Sequence, residues 1–195
     1  MPWEKSFDRD TVLQQSMALF WRKGFKRLSM ADIVAATGAS RYGLYDEFGD
    51  KRDLYLSCLD WYTDYLITGL LGELGSEAAG LAALRAYRDR ILAGLDIGDN
   101  ASMGCFMCAA AAEQSAEPAV RERARAHFSR VEAALRTAFE NAVAAGEIDE
   151  RVNPADAAIG LTASVQGLSL FARAGTPADT MRAQLRAVFR AHNID

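Results

Sequence analysis

Two groups of residues have types and spacing that could do chemistry. The first is Arg41, Tyr42, Gly43 and Tyr45, with Ser29, Ser40 and Lys51 around them, within LSMADIVAATGASRYGLYDEFGDK at residues 28–51. An arginine guanidinium can donate two parallel hydrogen bonds to guanine O6 and N7, and a tyrosine can touch bases, thymine methyls or phosphate. Serine and lysine donors suit phosphate, which positions a protein on a duplex without reading its sequence. The plainer reading of Arg41 is a surface arginine paired with Asp46 or Glu47. The second group is Cys105-x-x-Cys108, preceded by Gly104. A thiol in the first turn of a helix has its thiolate favoured by the N-terminal end of the helix dipole, which raises reactivity at neutral pH. Such a pair could also close a local disulfide or supply half of a metal site. The alternative is structural, because free cysteine is a common small core residue.

Other chemistries find little support. Zinc takes four ligands, and the soft side chains left over, Cys58, His127 and His192, fall on other predicted helices. No metal is therefore expected. The two histidines have no linked nucleophile, no glycine-rich phosphate loop is present, and no pair of carboxylates stands out. The expectation is a protein that is not an enzyme and carries no cofactor.

The elements that must hold these residues are helices. Proline at a first helical turn loses no needed N–H, and glycine tolerates the left-handed position at a helix end. Asn153-Pro154, Thr176-Pro177 and Glu117-Pro118 read as starts, and Gly24, Gly146 and Gly175 as stops. Val120, Ala124, Phe128, Val131, Leu135, Ala138 and Phe139 recur at three-and-four spacing. The chain reads as all-α, with nine helices near 8–23, 29–36, 40–46, 51–71, 80–95, 104–116, 118–145, 154–174 and 177–191. Ser29 with Asp32 forms a weaker capping box, and Ser40 caps a second short helix after the Thr37-Gly38-Ala39 break. Two short helices joined by a glycine-containing turn make a helix-turn-helix unit, whose second helix enters the major groove.

Charge is unevenly distributed. The formal net charge of the 195 residues is −4, which argues against indiscriminate coating of nucleic acid. Residues 1–55 nevertheless hold nine Lys and Arg against eight acids, including all four lysines (Lys5, Lys23, Lys26 and Lys51), whereas the remainder is net acidic. The N-terminal end is the better place to meet phosphate. No apolar run reaches the roughly 18 residues that span a bilayer, and MPWEKSFDRD has no signal-peptide segment. Three cysteines fit a reducing compartment, so a cytoplasmic protein with no membrane partner is expected.

Over residues 8–60 the chain resembles the TetR family of bacterial repressors. Residues 8–23 with Gly24-Phe25, then Ser29-x-x-Asp32-Ile33, Thr37-Gly38-x-Ser40, Leu44-Tyr45, Phe48 and Lys51 match that family's pattern in order and spacing. The family often has a histidine directly before the phenylalanine, where this chain has Glu47, and that departure weakens any phosphate contact at the position. The resemblance implies a DNA-binding domain at 1–52 and an effector-binding and dimerisation domain at 53–195. It further implies that Arg41 and Tyr42 read bases while Ser29, Tyr45 and Lys51 meet phosphate, with Ser40 also among the DNA-binding residues. Gly43 leaves room for the DNA backbone, and Leu44 and Phe48 are core.

The implied partners are double-stranded operator DNA, a second copy of the chain, and a small-molecule or electrophile effector. Residues 101–112 and 157–172 contain no charged side chain. The second of these stretches lacks a water-facing stripe and is economically covered by a partner subunit. Its Leu161, Val165 and Leu168, with Met181, Leu185 and Val188 on the last helix, are the expected dimer interface; a core helix in a monomer is the alternative. Trp61, Tyr62, Tyr65, Tyr87, Phe106, Met107, Gln166 and Phe171, with Cys105 and Cys108, are candidates for an effector pocket, although ordinary helical core explains any one of the aromatics. Some TetR-like regulators sense electrophiles or oxidants through cysteine, so the resemblance makes Cys105 a possible thiol switch. A rival is a helical module whose helix-turn-helix contacts protein, which a salt-dependent shift of DNA in a gel would separate.

Overall fold

The computed structural model describes residues 7–95 and 103–194. Lys5 and the first two residues of the charge-free stretch 101–112 lie outside the described residues. Among the described residues all regular structure is helical.

Helix α1 (Arg9–Lys23) starts where Asp8 accepts the Thr11 N–H at 2.7 Å, and buries Val12, Leu13, Ser16, Met17 and Phe20 on one stripe. Helix α2 (Met30–Thr37) begins with a complete capping box, in which Ser29 accepts the Asp32 N–H and Asp32 accepts the Ser29 N–H. It ends at Gly38, whose φ of 66° is the left-handed conformation that glycine adopts without a Cβ penalty. Ser40 then caps α3 (Arg41–Phe48) by accepting the Gly43 N–H at 3.0 Å.

Helix α4 departs from the continuous helix expected over 51–71. It runs Lys51–Trp61, passes through a π-helical turn at Tyr62–Leu66, and resumes over Ile67–Leu71. A π turn inserts one residue into the hydrogen-bond ladder and re-aims the side chains around it. Tyr62 and Thr63 are turned inward here, while Asp60 and Asp64 reach out to Arg123 and Arg130.

After a 3₁₀ turn at Gly72–Gly75 come α5 (Leu81–Gly94), α6 (Phe106–Glu113), α7 (Pro118–Ala144), α8 (Pro154–Arg173) and α9 (Ala178–Ala191). Helix α6 is shorter than the expected 104–116. Gly104 sits at φ 63° with the Ser169 carbonyl only 2.5 Å from where a Cβ would stand, so residue 104 is a close contact with α8 and lies before the helix. Helix α7 is the spine: its buried stripe from Val120 to Ala142 serves two hydrophobic cores. The first core joins α1 to α4 with Cys105, Phe106, Met107, Ala110, Val120 and Ala124. The second gathers Leu71, Leu84, Tyr87, Leu135, Phe139, Leu161, Leu185 and Phe189.

The expected interface residues are unequally exposed. Leu161 and Leu185 are buried in the second core and Met181 is buried beside them on the inward apolar stripe of α9. Val165, Leu168 and Val188 are half-buried. The large apolar side chains that α8 exposes are Ile159, Leu170 and Phe171, at 50%, 57% and 51% of their surfaces. By length and composition α8 would suffice to cross a membrane, although the sequence shows no unbroken apolar run of that length; 22% of it is buried, against α7 and α9.

Candidate nucleic-acid interface and thiol site

The recognition candidates lie on α3. Leu44 and Phe48, four residues apart, are buried and fix its inner face. Arg41, Tyr42 and Tyr45 therefore share the outer face, with Tyr42 77% and Tyr45 43% exposed. Glu47 accepts the Arg9 Nε–H at 3.0 Å and the Arg9 guanidinium lies over Phe48, which ties α3 to α1.

Three neighbours have local structural work. A Cβ at position 43 would stand 2.9 Å from the Phe7 ring and 3.0 Å from Ser40 Oγ, so Gly43 makes room for protein atoms. Ser29 Oγ is held 2.6 Å from Asp32 in the α2 capping box. Lys51 Nζ donates to the carbonyls of Phe25 at 3.0 Å and Leu28 at 2.9 Å and lies over the Phe25 ring. Its ammonium closes the loop between α1 and α2.

The effector candidates do not form one pocket. Tyr87 is sealed in the second core, Phe106 and Met107 in the first, and Tyr65 stacks on Trp61 at the surface. Phe171 is exposed. What the fold does assemble is a compact polar set around Cys105, Cys108 and Gln166, completed by Tyr62 and His127. Cys105 is the N-cap of α6 and 9% exposed. Tyr62 donates its hydroxyl hydrogen to Cys105 Sγ at 3.4 Å. Cys108 Sγ lies 3.1 Å from Gln166 Oε1, and Thr63 Oγ1 lies 3.2 Å from His127 Nδ1. Among the described residues no group of three His, Cys, Asp or Glu side chains has metal-ligand geometry.

Electrostatics separates the three thiols. The Cys105 thiol is held well below the usual range, first by the hydrogen bond from Cys108 and then by His127 and Tyr62, against the opposing effect of burial. The Cys108 thiol is pushed up, because its proton is held by Cys105 and by burial. Cys58, sealed beneath the Leu13 carbonyl, is pushed up by burial alone apart from a weak opposing effect of Arg9.

The thiol set is tied to α1, α4 and the loop after α1 at both ends of α6. At its start, the Met103 carbonyl accepts from Trp21 Nε1 at 3.0 Å and from Arg173 at 3.2 Å, and Phe106 packs against Trp21, Tyr55 and Tyr62. At its end, the Glu113 carboxylate accepts the backbone N–H groups of Phe25 and Lys26. Sequence reasoning missed Glu113 and the role of His127; each is an ordinary residue on a helix, and only the tertiary packing brings it to its partner.

Residues 12–58 match the family described as "Bacterial regulatory proteins, tetR family", and residues 80–188 match "Tetracyclin repressor-like, C-terminal domain". The chain is 30% identical over 174 residues to the HTH-type transcriptional repressor ComR of Escherichia coli (strain K12), covering 88% of this chain and 82% of that protein. It is 31% identical over 137 residues to the HTH-type transcriptional regulator YezE of Bacillus subtilis (strain 168), covering 69% and 68%. Among solved structures, a TetR family regulator from Agrobacterium tumefaciens superimposes with a TM-score of 0.80 at 27% identity, over 93% of this chain and 95% of that one. A cysteine mutant of the TetR family regulator CifR, complexed with 26bp operator DNA, superimposes at 0.82 and 23% identity over 97% and 98%. With a capped helix-turn-helix at its N-terminus and these matches along its length, the chain belongs to the TetR family of DNA-binding transcriptional regulators.

Proposed function

We propose that this regulator represses transcription as a homodimer on a two-fold symmetric operator and leaves the DNA when Cys105 is modified by a small thiol-reactive effector. Residues 1–52 make the DNA contacts and residues 53–195 supply the effector and dimer surfaces. Arg41 and Tyr42 read bases in the major groove, Tyr45 meets phosphate beside them, and Ser29 and Ser40 add phosphate contacts at their helix starts. The partner subunit covers the apolar face of α8 around Ile159, Leu170 and Phe171. The protein works in the cytoplasm, where its operator lies. Repression agrees with ComR, which is named a repressor and shares 30% of its residues with this chain.

The observation that carries the reading is the placement of α6. This helix of 8 residues has the depressed thiol of Cys105 at its N-cap, while Glu113 at its last turn grips the loop behind α1. A group added to Cys105 has no room beside Tyr62 and Phe106, so the helix must shift. A shift moves the grip on the DNA-binding helices and spoils the half-site spacing of about 34–36 Å that two recognition helices must match.

Titration of a fluorescent duplex from the region upstream of its own gene tests this. Iodoacetamide is expected to release the wild type, while Cys105→Ser resists release. Equal release from the Cys105→Ser protein would remove the thiol from the mechanism and leave a non-covalent effector.

A further inference from the structure

The two thiols of α6 occupy the N-cap and N3 positions, the register of a capping box. A capping box is closed in that register by Ser29 and Asp32 in α2 and by Asp50 and Asp53 at the start of α4, whereas Cys105 makes no side-chain cap hydrogen bond. At α6 both positions hold sulfur: Cys105 in extended backbone at φ −92°, ψ 129°, and Cys108 one turn along on the same side of the helix start. Residues three apart at a helix start fall within the Cα separation that a disulfide spans, roughly 4.4–6.8 Å.

We infer that Cys105 and Cys108 form a peroxidatic and resolving pair, so that the effector signal at this site is hydrogen peroxide and the released state carries an intrahelical Cys105–Cys108 disulfide. The inference rests on the reading of Cys105 as the effector site and names the class of effector. Cys105 is only 9% exposed and lies against Tyr62 and Phe106, which admits an oxidant little larger than water more readily than a bulky electrophile.

The chemistry closes within the site. The Cys105 thiolate attacks one peroxide oxygen, the O–O bond breaks, hydroxide leaves, and Cys105 becomes a sulfenic acid. The Cys108 sulfur then attacks Cys105 Sγ; the S–O bond breaks, and the departing hydroxyl takes the Cys108 proton and leaves as water. Two sulfurs have given up two electrons, one peroxide has become water and hydroxide, and a dithiol reverses the bond. The disulfide abolishes two anchors together. Cys105 loses the charge that accepts the Tyr62 hydroxyl on α4, and Cys108 loses the proton it donates to Gln166 Oε1 on α8.

The test is peroxide titration of the full-length protein on the same duplex, with intact-mass and peptide analysis of each sample. The wild type is expected to lose two hydrogens within the peptide that carries both cysteines, to bind the duplex roughly 5- to 150-fold more weakly, the span of ordinary allosteric coupling, and to recover with dithiothreitol. The Cys108→Ser protein is expected to stop at a Cys105 sulfenic acid that dimedone traps. Oxygen addition at wild-type Cys105 without a disulfide, or a disulfide between two chains, overturns the pair. A Cys105–Cys108 disulfide that leaves duplex binding unchanged overturns its role as the switch. Iodoacetamide on the Cys108→Ser protein separates the two claims: if alkylation there releases the duplex while peroxide makes no disulfide in the wild type, the effector reading stands and the pair falls. If neither moves the duplex, both fall.

Discussion

Glu113 and Phe25, 88 residues apart, meet where a carboxylate oxygen at the last turn of α6 accepts the Phe25 backbone N–H at 3.0 Å. The other oxygen accepts the next N–H, from Lys26, at 3.2 Å. The turn that ends α1 would otherwise leave these donors to water. Glu113→Ala is expected to lower the melting temperature by roughly 2–4 °C and to weaken duplex binding, because the tether between α6 and the DNA-binding helices is lost. Gly24→Ala should do the same, since its φ of 80° is costly for alanine and the new Cβ would stand 2.9 Å from the Glu113 carboxylate. Calorimetry and fluorescence anisotropy read the two effects; a Glu113→Ala protein with wild-type values in both would show that the tether does no work.

Arg41 and Lys51 should fail in different ways. Arg41→Ala leaves folding untouched and relaxes preference at one base position, by roughly 1–3 kcal/mol for a bidentate guanine contact. Lys51→Ala removes two bonds to carbonyls and a cation over Phe25, so it should cost about 2 kcal/mol of stability. Melting curves together with binding to a panel of operator variants distinguish the two. A Lys51→Ala protein of wild-type stability whose salt dependence is flattened would make Lys51 a phosphate contact.

Charges on α8 sort by burial. Leu161 is fully buried in the second core, so Leu161→Arg should unfold the chain, at a cost on the order of 4 kcal/mol or more. Ile159→Arg and Phe171→Glu alter exposed side chains and should leave a folded monomer with poor operator affinity. Sedimentation velocity and circular dichroism supply the readouts; dimers of wild-type strength in both surface variants would move the interface elsewhere.

The pH dependence of alkylation should single out Cys105. An ordinary cysteine titrates at about 8.5 and slows as pH falls below that value. The Cys105 thiol is depressed, so its reaction with iodoacetamide should stay fast to lower pH, and the fall should come at the depressed value. The groups facing it are Cys108, His127 and Tyr62. Tyr62→Phe removes one donor to the thiolate and should shift the profile upward while leaving the fold intact. An unchanged profile in that variant would show that the Tyr62 hydroxyl does not stabilise the charge.

The parts legible in the sequence are those set by neighbours along the chain. Ser29 with Asp32, Ser40 before α3 and Pro154 after Asn153 mark helix starts because each cap acts within three residues. The exposed face of α3 was legible in the same way, since the spacing of Leu44 and Phe48 fixes which residues remain outside. Interactions that cross many residues were not legible. Lys51 carries the same charge whether it faces phosphate or the Phe25 and Leu28 carbonyls, and only tertiary packing decides. The stripe of Met181 and Leu185 reads as apolar without saying which neighbour covers it. The π turn has no spacing signature, and Tyr62, whose hydroxyl meets Cys105, is its first residue.

One helix two turns long carries a thiol pair at its start and a carboxylate grip on the loop after α1 at its end, and influence along it runs both ways. Whatever free energy oxidation takes from operator affinity, operator occupancy must return as resistance to oxidation. Protein seated on its promoter would then keep reduced thiols longer than protein free in the cell. The unbound pool would respond first, and the promoter would empty only after that reserve is spent. The amount of regulator in excess of its sites, and not the chemistry of Cys105 alone, would set the threshold of the response.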